Sequence, residues 1–256
     1  MNEIKHILKK LRLSGILIGL EDRVAYAKAH KLSFVEFLEL VLQDELTRRE
    51  HNGLARRIHN AKVNADQTLE RFDWDTGISV DRDVLKELFS LEFIDRNENV
   101  ILCGPVGVGK TFLANALAHS ACRRGKKVIM ERAKKIFTSL RQSRADNSFE
   151  KELVRFLGPD LLVIDDLGLQ KLTPQEASDF YEIVVERHGR ASTIITSNRE
   201  VGEWEALFDD PILANSALDR IAHNAYQLII DGESYRNRYH RSSNERQNDD
   251  STESSA

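Results

Sequence analysis

The chain has 256 residues, 41% hydrophobic and 30% charged, with 37 Lys and Arg against 41 Asp and Glu for a formal net charge of -4. That hydrophobic share excludes a chain disordered throughout, and the mild acidity excludes a globally basic nucleic-acid binder while leaving room for a local basic face. No apolar run reaches the roughly 18 residues of a membrane helix, and the opening MNEIKHILKKLRL lacks the apolar stretch and cleavage site of a secretory signal. The cysteines, Cys103 and Cys122, form no disulfide or metal framework and read as core residues, so a cytoplasmic protein is expected.

From Ile4 to Lys62 there is no proline, and apolar residues recur at helical spacing: Ile4, Ile7, Leu8 and Leu11, then Phe34, Phe37, Leu38, Val41 and Leu42. Several helices are expected, with breaks near Ser14–Gly15 and around His30–Ser33. Ser33 followed by Glu36 has the form of a capping box, in which the serine side chain bonds a backbone N–H three residues on and the glutamate bonds back. Residues 1–65 thus read as a small all-helical domain. It ends in RREHNGLARRIHNAK, where Arg48, Arg49, Arg56, Arg57 and Lys62 face a single acid, Glu50. Residues 66–80 read as a connector that Phe72 and Trp74 can anchor.

Beyond it, short β-branched or apolar runs alternate with helical patterns. The runs are Asn99–Cys103, Lys127–Glu131, Leu161–Asp165, Thr193–Ser197 and Tyr226–Ile230. Helices are expected near Thr111–Cys122, Ala133–Gln142, Phe149–Leu157, Pro174–His188 and Pro211–Ala222. This alternation predicts an α/β domain over residues 81–240, a parallel sheet between helices. Residues 241–256 are polar, without large apolar side chains, and are expected to be disordered.

Gly104-Pro105-Val106-Gly107-Val108-Gly109-Lys110-Thr111 matches the phosphate-loop pattern G-x-x-x-x-G-K-[ST], after a predicted strand and opening a predicted helix. Glycines let successive backbone N–H groups surround a triphosphate, and the helix N-terminus adds its positive dipole end. Lys110 is expected to reach the β- and γ-phosphates and the Thr111 hydroxyl to ligate Mg²⁺, with Phe112 just beyond the loop also counted in the ATP site. Leu161–Asp165 then ends in the acids Asp165 and Asp166, at the end of a strand that opens on the ligand crevice of an α/β sheet. Asp165 is expected to hold Mg²⁺ with Thr111, and Asp166 to act as general base toward water. Asn198, closing the run Ser192–Asn198, could touch both phosphate and water or be an ordinary turn residue.

Phosphate loop, acidic strand end and polar asparagine, in that order, resemble the AAA+ ATPases. SLEFIDRNENVILCGPVGVGKTFLANAL, PDLLVIDDLG, STIITSNREVGEWEALFDDPILANSALDRI and GESYR resemble more specifically the IstB-like family, the helper ATPases of bacterial insertion sequences that work with a transposase. The resemblance covers about residues 1–240 and implies ATP hydrolysis, assembly on duplex DNA as a ring or helical oligomer, and recruitment or stimulation of a transposase. The Asp166 side chain, shorter than a glutamate and so farther from the water, predicts that this hydrolysis is slow and switch-like. The resemblance makes Asn198 a sensor and Arg220 the arginine that reaches a neighbouring subunit's site. Arg187 and Arg190 are rivals for that role, and Arg220 could instead pair along its own helix. The sequence departs from the wider class in two places. Asp165-Asp166 stands where many members have Asp-Glu, and too little chain follows Arg236 to build a separate helical lid, which leaves Arg236 as a candidate second sensor.

The basic stretch can be a solvated helix face or a non-specific duplex-DNA contact that gains from counterion release. The resemblance favours DNA. A helicase loader of the DnaC type is the alternative, and a small-molecule P-loop kinase a third reading without DNA dependence.

Overall fold

The structure, a computed structural model, describes residues 2–72, 79–232 and 234. Trp74, Arg236 and the segment 241–256 lie outside the described residues. The chain divides into two compact units, Met1–Arg57 and the remainder from Ile58 onward.

The first unit is helical throughout: α1 (Asn2–Lys10), α2 (Ser14–His30) and most of α3 (Phe34–Ala61), which runs across the division. The expected break at Ser14–Gly15 is displaced to residues 11–13, and Gly15 lies inside α2. Its reason is packing, not chain reversal, because a Cβ on Gly15 would sit 2.7 Å from the Cα of Glu45 on α3. A glycine is needed where two helix backbones approach that closely. The buried Glu45 carboxylate accepts from the backbone N–H groups of Gly15 (2.6 Å) and Ile16 (3.3 Å), orphan donors in the first turn of α2. Arg49 holds the same carboxylate at 2.7 Å, and Ile16, Leu20 and Val41 form the small core. The capping box before α3 forms, with Ser33 N–H donating to Glu36 at 2.7 Å and Glu36 N–H to the Ser33 hydroxyl at 3.3 Å.

The second unit begins with a segment fastened to the sheet domain, then α4 (Arg82–Ser90) and α5 (Glu92–Asp95). Helix α4 has no counterpart in the sequence-based expectation, although its signals are present. Asp81 caps it by accepting from the N–H groups of Asp83 and Val84, and Leu85 and Leu88 bury one face. Then come β1 (Asn99–Cys103), α6 (Lys110–Arg123), β2 (Val128–Arg132), α7 (Ala133–Ala145), α8 (Phe149–Leu157), β3 (Leu161–Leu167), α9 (Pro174–Arg187), β4 (Ser192–Ser197), α10 (Pro211–Ala222) and β5 (Ala225–Ile229).

Among the described residues the five strands are parallel, in the order β2-β3-β4-β1-β5. The central strands β1 and β4 are buried along their whole length, as a parallel sheet covered on both faces requires. Ile101, Ile164 and Ile195 face a core built with Phe137 of α7, Phe156 of α8, Phe180 of α9 and Ala217 of α10. The alternate residues Val100, Val163 and Ile194 point to the opposite face, along which α6 packs. Strand β3 runs two residues past the expected end. Its pairing with β4 shifts between Ile164 and Leu167, and Asp166 takes φ 59° within that irregularity.

Candidate nucleotide site

Strands β1, β3 and β4 are neighbours, so their C-terminal ends bring the phosphate loop, the acidic pair and the polar end of β4 to one crevice. The loop leaves β1 through Gly104 at φ 145°, where a Cβ would lie 2.0 Å from the Ile230 carbonyl oxygen. At Gly107, with φ 91°, a Cβ would meet the Ser234 hydroxyl at 2.1 Å. Both glycines are therefore required by backbone conformation and by the chain beyond β5, which passes against the loop. Val108 is buried and Val106 exposed, and Gly109 precedes the first turn of α6 with no side-chain cap, leaving backbone donors directed at the loop.

Lys110 is buried to 7% exposure, and its Nζ donates to the carbonyls of Gly104 (2.7 Å) and Pro105 (2.6 Å), inside the loop's curve. Next to it, the Thr111 hydroxyl donates to Asp165 Oδ1 at 2.8 Å. The same oxygen accepts from the Thr196 hydroxyl at 2.7 Å, and Thr196 Oγ1 in turn accepts from the Asp166 N–H at 2.9 Å. One threonine thus fixes both the metal-side carboxylate and the backbone of the second acid. Sequence reasoning missed Thr196, one of four hydroxyl residues in the strand STIITS, with nothing along the chain to single it out. Asp166 keeps a left-handed backbone, a conformation that costs a non-glycine residue about 1–2 kcal/mol and breaks the regular pairing of β3 with β4. Asn198 is exposed just past β4. Phe112 stacks obliquely on Phe72 with ring centroids 5.5 Å apart.

These residues suit Mg²⁺ and a nucleoside triphosphate. A threonine hydroxyl and a carboxylate are the hard oxygen donors that Mg²⁺ takes, and the glycine backbone clears a cradle that any Cβ would fill. Among the described residues no cluster of His, Cys, Asp and Glu could hold a metal unaided, so phosphate oxygens and water would complete its shell. Burial, the largest influence, pushes the Cys103 thiol at the end of β1 up to about 11, leaving it a core residue without nucleophilic character.

The arginine candidates separate. Arg187 is 2% exposed, and its guanidinium donates to the carbonyls of Phe156, Leu157, Pro159 and Ser192 and to the Thr193 hydroxyl. It ties α9 to β4 and to the end of α8 and cannot reach another subunit, which removes it as a candidate. Arg190 is on the surface, paired to Glu186 at 3.1 Å. Arg220 pairs with no acid of its own helix; it folds back onto the Ser216 carbonyl at 2.7 Å and hydroxyl at 2.5 Å.

The basic residues do not share one face. Arg48 lines an open cleft of about 640 Å³ between α2 and α3, with Asp22, Tyr26, His51 and Asn52. Arg49 is engaged by Glu45, and Arg56 is exposed on α3, with Arg57 half-buried beside it. Lys62 lies past the helix end at φ 58° and pairs with Glu131 of β2. The seven-residue spacing of Arg49 and Arg56 does keep those two on one side of α3.

A protein of Mycobacterium tuberculosis named for ATP binding in an insertion sequence is 37% identical over 236 residues, covering 92% of this chain and 94% of its own. The insertion sequence IS21 ATP-binding protein of Pseudomonas aeruginosa is 35% identical, with coverages of 92% and 89%. Among solved structures, the DnaC helicase loader superposes with TM-score 0.52 at 23% identity, over 58% of this chain and 86% of that one. DnaI superposes with TM-score 0.56 at 22% identity, over 64% and 90%. At such identities these two share the fold, an AAA+ P-loop core. Residues 6–243 match the family described as IstB-like ATP binding protein, and the chain belongs to that family.

Proposed function

We propose that the chain is an Mg²⁺-dependent ATPase of insertion-sequence transposition, which assembles on duplex DNA in its ATP state and acts on a partner transposase. The observation that carries the ATPase reading is the hydrogen-bonded line Thr111–Asp165–Thr196–Asp166 beside Lys110. In this mechanism the loop N–H groups and Lys110 bind the β- and γ-phosphates, with Lys110 exchanging its carbonyl partners for phosphate oxygens. Mg²⁺, when bound by Thr111 and Asp165, supplies charge neutralisation at those oxygens. Asp166 accepts the proton of the attacking water, and Asn198 orients that water. Arg220, given from a neighbouring copy, stabilises the γ-phosphoryl charge, a contribution worth about 10³–10⁵ in rate for such arginines.

Relatives named for insertion sequences align over nearly the whole chain, whereas the helicase-loader likeness is confined to the fold, which favours transposition over helicase loading. Arg48, Arg49, Arg56, Arg57 and Lys62 are the proposed DNA contacts, Arg48 and Arg56 being the most available. A neighbour's arginine at each nucleotide site is a head-to-tail contact, which builds rings or helices. Light scattering and ATP turnover with and without duplex DNA test this. Wild type should grow into large particles on DNA with ATP, and Lys110→Ala should lose both growth and turnover. A wild-type particle that stays small, with turnover indifferent to DNA, overturns the assembly reading.

A further inference from the structure

Beside Asp166 lies a second cavity, of about 270 Å³, in which the nucleotide mechanism gives no role to any other lining residue. Its floor is apolar: Phe137, Leu167 and Leu172 are buried there, and Leu169 stands at the edge with 56% of its surface exposed. Its rim carries three cations, Arg132 and Lys134 at the junction of β2 and α7 and Lys171 between β3 and α9, against two lining acids, Asp166 and Glu176, the latter held in the cap of α9 by the Thr173 N–H. The chain pairs many of its other cations, including Lys62, Arg96, Lys126, Arg144 and Arg155, with carboxylates. Arg132, Lys134 and Lys171 have no carboxylate partner among the described residues. Helix α7 also begins at this rim with no side-chain cap, so its first N–H groups and dipole add to the positive potential.

We propose that this cavity docks an acidic peptide segment that carries a large apolar side chain, presented by a protein partner. The volume falls below the roughly 300–1,000 Å³ of pockets for drug-sized ligands, so it suits one or two side chains. A leucine or phenylalanine would fill the floor, and flanking carboxylates would meet the three cations and the α7 terminus. Duplex DNA fits less well, because its backbone offers phosphate to the rim and nothing apolar to the floor. The cavity shares Asp166 with the proposed hydrolytic site, so an occupant would bias the turn that sets this acid, and a docked partner would change ATP turnover.

The test uses the full chain and fluorescein-labelled peptides, read by anisotropy without turnover, so its outcome is independent of the ATPase reading. The probe is Glu-Asp-Leu-Phe-Asp-Glu. One control replaces Leu-Phe by Ser-Ser, and the other replaces the acids by Gln and Asn. The probe should bind at least about tenfold more tightly than either control, a step of about 1.4 kcal/mol. Lys134→Glu with Lys171→Glu should abolish that preference, as should Leu169→Asp, while ATP affinity is kept. Equal binding of the probe and its serine control would overturn the proposal, as would no binding below about 1 mM. A double variant that loses duplex-DNA affinity but still prefers the probe would also overturn it and assign the rim to nucleic acid.

Discussion

Thr196 makes the polar line at the site a single unit. Its hydroxyl gives its proton to Asp165 and takes the N–H of Asp166, so both acids depend on one buried side chain. Thr196→Val keeps the shape and removes the hydroxyl, so the part-buried Asp166 N–H loses this acceptor. It should cost about 1–3 kcal/mol of stability in urea unfolding. Turnover should fall by more than ATP affinity, because the acids lose their positions while the loop keeps its own. Equal stability and kcat in the variant would remove Thr196 from the site. Arg187 teaches the opposite lesson. Burial holds its guanidinium down to about 10, and the donors are spent on backbone carbonyls, so a residue that looked available for catalysis serves the sheet.

The α2–α3 pair holds its charges in a way that acid should undo. Burial, the largest influence on Glu45, raises its carboxyl, but Arg49 and the N–H groups of Gly15 and Ile16 outweigh it and hold the group below the ordinary range. Asp44 is likewise lowered by its hydrogen bonds to Arg23. A carboxylate depressed in the folded state stabilises the fold above its unfolded value. That stability is lost as pH falls through the folded value. Helicity followed by circular dichroism from about pH 7 to about pH 3 should therefore show the helical unit weakening in acid. Glu45→Gln should be less stable at neutral pH and lose less on acidification. A parallel fall of the two proteins would assign the acid sensitivity elsewhere.

Across the molecule, the proposed DNA contacts and the nucleotide loop are different residues, so on that reading the two bindings should separate by mutation. In the full chain, Arg48→Glu with Arg56→Glu should weaken duplex-DNA binding about tenfold or more. It should also lower the slope of log affinity against log salt by about 1 for each phosphate that is no longer neutralised. Nucleotide affinity should be unchanged, because neither residue lies in the loop. An unaltered salt slope would clear the α3 arginines of that role. Arg49 is left out because its loss would expose Glu45 and confound DNA binding with folding.

The alternating sheet domain was legible in the sequence because buried parallel strands are written as short apolar runs, and each expected run corresponds to a strand within one or two residues. The phosphate loop was legible because its glycines and Lys110-Thr111 are contiguous, and so was the capping box at Ser33. Helix α4 was overlooked despite an ordinary aspartate cap. What the sequence by itself determined was thus the local matter: element type, the loop, and the acids that close β3. The tertiary structure alone decided which strands became neighbours, and hence that Thr196 would meet Asp165 and Asp166 from 30 residues or more along the chain. It alone turned Gly15 from a helix break into a helix crossing, and Arg187 from a candidate catalyst into a buried tie. Those outcomes depend on which backbones approach across the core, and the meeting of distant segments leaves no periodic trace along the chain.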